Sequence, residues 1–80
     1  MIKKEVIIGD TYRHYKKGEY IVRAIAKHSE TLEEMVVYQN VNAKKMDEDV
    51  WARPLSMFVE NVILPDGTNR PRFDNITRHG

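Results

Sequence analysis

The stretch Glu19–Val41, EYIVRAIAKHSETLEEMVVYQNV, decides the fold. In its first run, Tyr20, Val22, Ala24 and Ala26 fall on one side of a pleated strand and Ile21, Arg23, Ile25 and Lys27 on the other, because side chains alternate with period two. The first side is wholly apolar and the second is mixed. A strand of this kind suits a small barrel, in which one long bent strand serves two packed sheets in turn. The second run reads the same way, with Met35, Val37 and Val41 on one side and Val36 and Tyr38 on the other. Both runs are rich in the β-branched and aromatic residues that fit a half-buried pleated surface. Between them, His28 to Glu34 is too long for a two-residue hairpin turn. It is expected to be a turn-bearing loop in an antiparallel pair. The alternative is a single helical turn capped by Ser29 or Thr31, with Glu34 three residues after Thr31 as in a capping box.

Outward from that ribbon, Lys3 to Ile8 is a short strand candidate ended by Gly9 and Asp10, a turn pair. Asn42 to Asp49 has lost the alternation and is expected to be a mobile polar loop. Val50 to Arg53 resumes a strand, which Pro54 stops or places at an edge because proline cannot donate to a ladder. Residues 54–58 read as one helical turn with Pro54 at its start, where a missing N–H costs nothing. Val59 to Leu64 form a further strand, and Pro65, Asp66 and Gly67 a turn. Arg70 to Ile76 is weakly patterned, with Phe73 and Ile76 packing back, and Thr77 to Gly80 is expected to fray. One helical turn before the last of about five antiparallel strands is the arrangement of a small, open, SH3-like β-barrel. The core is expected over about residues 10–76.

Composition narrows the function. Eighty residues make one domain, which removes only about 60% of its chain's surface from water and holds no large cavity. The absence of cysteine excludes disulfides and thiolate metal sites and favours a reducing compartment. MIKKEVIIG has too short an apolar run for a signal peptide or membrane span, so a cytoplasmic protein is expected. The net charge of +1 hides an asymmetry: +4 over residues 1–28, −4 over 29–49 and +1 over the remainder. That balance argues against a protein held to nucleic acid by bulk charge alone, although a local basic strip is compatible with it.

Several phrases together carry a resemblance. Tyr12-Arg13-His14-Tyr15-Lys16, Ile25-Ala26-Lys27-His28-Ser29-Glu30-Thr31-Leu32-Glu33, Val36-Val37-Tyr38, Trp51-Ala52-Arg53-Pro54-Leu55-Ser56-Met57-Phe58 and Pro71-Arg72-Phe73 occur in this order. With them the chain resembles, over about residues 10 to 76, the bacterial family catalogued as domain of unknown function 1653. The resemblance implies a compact β-rich domain, in short and mostly stand-alone proteins without an established activity. It supplies no reaction. The chain departs from the family pattern at Ala52, where Val is expected, and at Asn69-Arg70 before Pro71, where Val-Pro is common. Neither departure touches a charged group of the candidate site.

The polar residues least explained by structure are His14, His28, Ser29, Glu30 and Arg53, each beside a strand end or a turn, where loops carry function. A hydrolytic triad on Ser29 or Thr31 lacks a nucleophile elbow and leaves only His14 as base. No His-x-x-x-His spacing supports zinc, Asp47, Glu48 and Asp49 lack the glycine and closing Glu of a calcium loop, and the glycines stand too far apart to cradle phosphate. No cofactor or metal is expected. Tyr12, Arg13, His14 and Tyr15 interleave rings with cations, as stacking and phosphate contacts require, or else form a barrel-edge strand whose cationic stems cover its rim. Trp51 and Arg53, two apart, emerge on one face, where indole and guanidinium present a joint surface. A structural ion pair of Arg53 with Glu30 or Glu33 is the plain alternative. The expected function is a non-enzymatic binding module using Tyr12, Arg13, His14, Tyr15, His28, Ser29, Glu30, Trp51 and Arg53. Its expected ligand is single-stranded nucleic acid or a peptide segment of a partner protein. The competing readings are a small enzyme or ligand-binding domain built on His14, His28 and Glu30, and a subunit of a larger assembly.

Overall fold

The computed structural model describes residues 6–78. In chain order the elements are β1 (Thr11–His14), β2 (Glu19–Lys27), β3 (Glu34–Asn40), β4 (Val50–Pro54), α1 (Leu55–Phe58), β5 (Asn61–Ile63), β6 (Asn69–Pro71) and β7 (Phe73–Asn75). Five of the strands form one antiparallel sheet in the order β4-β3-β2-β1-β7, and β5 pairs with β6 as a separate hairpin. The fold is therefore mainly β with one short helix. Several expectations need correction. The sheet is not closed into a barrel, since β4 and β7 are its two edges. The helical turn precedes three strands rather than one. Of the expected strand at Lys3–Ile8, residues 3–5 lie outside the described ones, and residues 6–8 form no strand, although Val6 packs on the core.

The central ribbon has the expected ends and a different phase. Val22 pairs with Tyr38 and Ala24 with Val37, so Arg23 is an extra residue with no partner and forms a β-bulge. A bulge reverses the alternation after it. Consequently Ile25, not Ala24 or Ala26, follows Val22 on the core side. The physical reason is bulk: the larger apolar side chains at 22 and 25 are an odd number apart, and one unpaired residue brings both inward. Between the strands, His28 Nδ1 accepts hydrogen bonds from the Glu30 and Thr31 N–H groups. The Leu32 N–H donates to the His28 carbonyl, and Leu32 takes φ +64°. A turn-bearing loop results, and Thr31 Oγ1 accepts from the Glu33 N–H without any helix.

The core gathers on one face of the sheet. Tyr12, Val22, Val36, Tyr38, Phe58 and Phe73 are buried there, with Tyr20, Ile25, Leu55 and Val59 packed against them. Phe58 and Phe73 stack with centroids 4.1 Å apart, and Tyr12 and Tyr38 meet the Phe58 ring edge-on at 5.4 Å each. Phe73 comes from the weakly patterned tail, which β7 attaches to β1 through Tyr12↔Asn75, Arg13↔Asp74 and His14↔Phe73. The Thr11 N–H donates to Thr77 Oγ1, and Arg78 Nε donates to Asp10 at 2.8 Å. Residues 77 and 78, expected to fray, are therefore tied to the start of β1, while 79–80 lie outside the described residues.

Asp10, 6% exposed, anchors that junction. The hydrogen bonds from Asn75 and Arg78 hold its carboxyl below the ordinary carboxylate value. A depressed folded-state pKa contributes stability that is complete above the unfolded value and lost as pH falls through the folded one. Thermal unfolding is thus expected to show Asp10→Asn less stable than the parent at neutral pH, with the gap closing as pH falls below the ordinary carboxylate range.

The loop between β3 and β4 is built on one buried side chain. Gln39, 5% exposed, donates from Nε2 to the Lys45 and Glu48 carbonyls at 2.8 Å and to Met46 at 3.3 Å. Gln39→Leu would remove these hydrogen bonds from the loop carbonyls and is expected to cost about 1–3 kcal/mol. Hydrogen exchange checks this: protection in the 43–48 segment should fall further than in β2. Among the described residues no helix is long and apolar enough to cross a membrane.

Candidate functional site

The register shows which side chains share a face. Val36 and Tyr38 face the core, Arg53 pairs with Val36 and Trp51 with Tyr38, so Trp51 and Arg53 emerge on the core side of the sheet. Tyr12 pairs with Tyr20 and His14 with Phe73, on that same side. The core fills most of this face. Beside it, His14, Tyr20, Tyr38, Trp51, Arg53 and Phe73 line a cleft of about 190 Å³.

Its walls are aromatic. Tyr20 and Tyr38 meet at 5.4 Å with planes at 88°, and Tyr38 and Phe73 at 5.3 Å and 67°. Tyr20 is held by a close approach, because a Cβ on Gly18 would lie 3.1 Å from its hydroxyl oxygen, and Gly18 also needs φ +95°. Edge-on packing is a favoured aromatic geometry, and here it sets the rings as walls of the slot. Trp51 on the rim is 55% exposed. That is a large apolar area left in water on an edge strand.

The cleft is also cationic. The Arg53 guanidinium lies 5.8 Å from the Phe73 ring centroid, and its Nε donates a long 3.4 Å hydrogen bond to the Tyr38 hydroxyl. Among the described residues it pairs with no carboxylate. The expected alternative, an ion pair with Glu30 or Glu33, is not formed. His14 Nδ1 accepts from the Lys16 N–H, and its ring packs edge-on against Phe73 at 4.9 Å. Partial burial first, then the charges of Arg53, Arg72 and Lys16, pull the His14 pKa below its ordinary value. Every charge named there is positive. An anion entering the cleft would therefore relieve repulsion rather than create it.

The remaining expected residues separate into groups. Tyr12 is a core residue whose hydroxyl accepts from the Ile7 N–H. Arg13 faces the other side of the sheet, paired with Glu19 at 3.0 Å in an exposed ion pair. The Tyr15 ring lies tilted against His14 at 4.8 Å, just outside the cleft. Exposed Ser29 and Glu30 belong to the β2–β3 turn that His28 organises. The His14 N–H donates to the Gly18 carbonyl, just before β2, and His28 directly follows β2. Nine strand residues, at about 3.3 Å each, put roughly 30 Å between those ends. His14 therefore shares no site with His28 and Glu30, and general acid–base chemistry across the three is geometrically excluded. Among the described residues no three His, Asp or Glu side chains gather in a group able to hold a metal ion.

Tyr20, Tyr38 and Phe73 line the cleft, although none of them stood out in the sequence as a site residue. The one available signal was two tyrosines in adjacent strands of a chain with four. A larger depression of about 350 Å³ lies beyond Ile21, between Arg23 and the Lys44–Lys45 stretch. Arg23, Lys44 and Lys45 line it together with Gln39 and Asn40, without an aromatic ring.

With this geometry in view, comparison with known proteins is direct. Residues 10–75 match the model of a family described as protein of unknown function (DUF1653). No curated protein matches the chain. Among solved structures, the crystal structure of a DUF1653 protein from Bordetella bronchiseptica is 31% identical and superposes with a TM-score of 0.72, over 88% of this chain and 87% of that one. The order of strands around the cleft and the phrases that supply its residues lie inside the matched region, and this chain belongs to the DUF1653 family.

Proposed function

We propose that this protein is a non-enzymatic binding module that takes single-stranded nucleic acid, stacking a base in the cleft between Tyr20, Tyr38 and Trp51 while Arg53 meets the phosphate. The observation that carries the reading is Arg53: a guanidinium without a carboxylate partner among the described residues, at the mouth of a slot walled by rings. A half-buried cation that no carboxylate neutralises is available to an anionic ligand through charge-assisted hydrogen bonds. The volume of about 190 Å³ is below the range of pockets that enclose a whole drug-sized molecule. It suits one flat ring of a longer ligand. The near-neutral total charge fits as well, since stacking rather than many phosphate contacts would carry affinity.

An amide chemical-shift titration of labelled protein with oligothymidylate and oligouridylate tests it. Shifts are expected at His14, Tyr20, Trp51, Arg53 and Phe73. Two or three phosphate contacts predict a loss of affinity of roughly tenfold between about 50 and 200 mM salt. Arg53→Ala should weaken binding by about tenfold, as loss of a charge-assisted contact does, and should flatten that salt dependence. Its Tm should stay near the parent's. A silent spectrum would remove the nucleic-acid reading and direct the search to peptides, and a large loss of Tm in Arg53→Ala would make Arg53 structural.

A further inference from the structure

The cleft has a neighbour. A second depression of about 210 Å³ is lined by Arg13, His14, Tyr15, Arg70, Pro71 and Asp74, and His14 is the residue common to both. The His14 ring stands between two others, 4.9 Å from Phe73 in the first depression and 4.8 Å from Tyr15 in the second. Cations flank this row of rings. Arg53 lies 5.8 Å from the Phe73 centroid, and Arg72 and Lys16 each lie 5.9 Å from that of Tyr15. Arg72 is partly committed to Glu60, at 2.7 Å, and Asp74 puts a carboxylate into the second depression. The strongest unopposed positive charge therefore sits at the His14 divide rather than inside the second depression.

Resting on the function proposed above, we infer that the site is two nucleotides wide: one base enters the Tyr20–Tyr38–Trp51 cleft, the next lies against Tyr15 in the second depression, and the phosphate joining them crosses His14 beside Arg53. Consecutive rings separated by a cationic divide match a strand whose bases alternate with phosphates, and stacking on successive rings tolerates any base. A ligand with one ring and one phosphate would fill only the first depression. The dinucleotide is the smallest unit that uses both.

Thymidine 5′-monophosphate and the dinucleotide d(TpT) separate the possibilities in parallel amide-shift titrations. The monophosphate is expected to move Trp51, Arg53 and Phe73 only. The dinucleotide should bind roughly 5- to 100-fold more tightly and move Tyr15 and Arg70 as well, the effect of one added stacked base. Tyr15→Ala should bring d(TpT) affinity down to that of the monophosphate, and the exposed Arg70→Ala provides a second variant with the same expected direction and little demand on folding. Equal affinities, with Tyr15 and Arg70 unmoved, would overturn the two-nucleotide site while leaving the single-base cleft standing. No response to either nucleotide or to the longer oligomers would overturn both.

Discussion

Phe58→Ala is expected to destabilise the domain by about 3–5 kcal/mol, the range for deleting a fully buried phenyl ring. Phe58 is 1% exposed and touches three other core rings, with its stack on Phe73 at 4.1 Å and edge contacts to Tyr12 and Tyr38. It is also the buried residue of α1, a helix of four residues without a side-chain cap. One helical turn does not persist on its own hydrogen bonds, because nucleation is costly and only tertiary packing offsets it. Losing the ring therefore removes both a core wall and the anchor of the segment leading from β4 to β5. An 80-residue domain has a thin margin. At roughly 4–8 °C per kcal/mol, a fall in Tm of about 12–40 °C is expected. Thermal unfolding followed by circular dichroism checks it, with Phe58→Leu recovering more than half of the loss. A fall of only a few degrees would mean that the four-ring cluster is not the centre of the core.

That cluster also marks how far the sequence could be read. The two central strands, the helical turn after Pro54 and the turn at Asp66-Gly67 were legible, because each rests on local chemistry: β-branched alternation, a fixed proline φ, and a glycine at φ +86°. The bulge at Arg23 was not, since strict period-two reading assumes an unbroken ladder, and what breaks it is packing of Val22 and Ile25 on residues far away in sequence. Phe73 was legible only as a residue that packs back. Its strand has three residues, too few to show alternation, and its partner β1 lies some sixty residues earlier. The open sheet followed from the same gap, because its last strand lay in the weakly patterned tail. At the site, Trp51 and Arg53 were readable as a pair from their spacing alone, and they line one cleft. His28, Ser29 and Glu30 stood out for their chemistry, yet a histidine ring nitrogen accepting two turn N–H groups gives His28 a sufficient structural task.

Trp51→Ala is expected to reduce affinity for oligothymidylate by roughly 10- to 100-fold, the effect of removing one base-stacking ring. The cost in stability should be small by comparison. Trp51 sits on β4, an edge strand, with more than half its surface in water, so truncation uncovers little that folding had buried. What it contributes on that edge is its cross-strand position opposite Tyr38, an aromatic pairing worth about 0.2–1 kcal/mol. The contrast with Phe58→Ala is the point of the prediction: one ring acts through the core and the other through the ligand. Trp51 is also the only tryptophan. Tryptophan fluorescence of the parent therefore reports the cleft, and a base stacked on the indole should quench it in proportion to occupancy. Trp51→Phe should retain much of the affinity, since a smaller ring still offers a stacking face. If fluorescence stays constant while the oligonucleotide moves amides elsewhere, the ligand lies on another surface and the cleft is not its site. If instead Trp51→Ala unfolds the domain, the indole is holding β4 to the sheet, and its exposure has the structural cause that the proposed function denies.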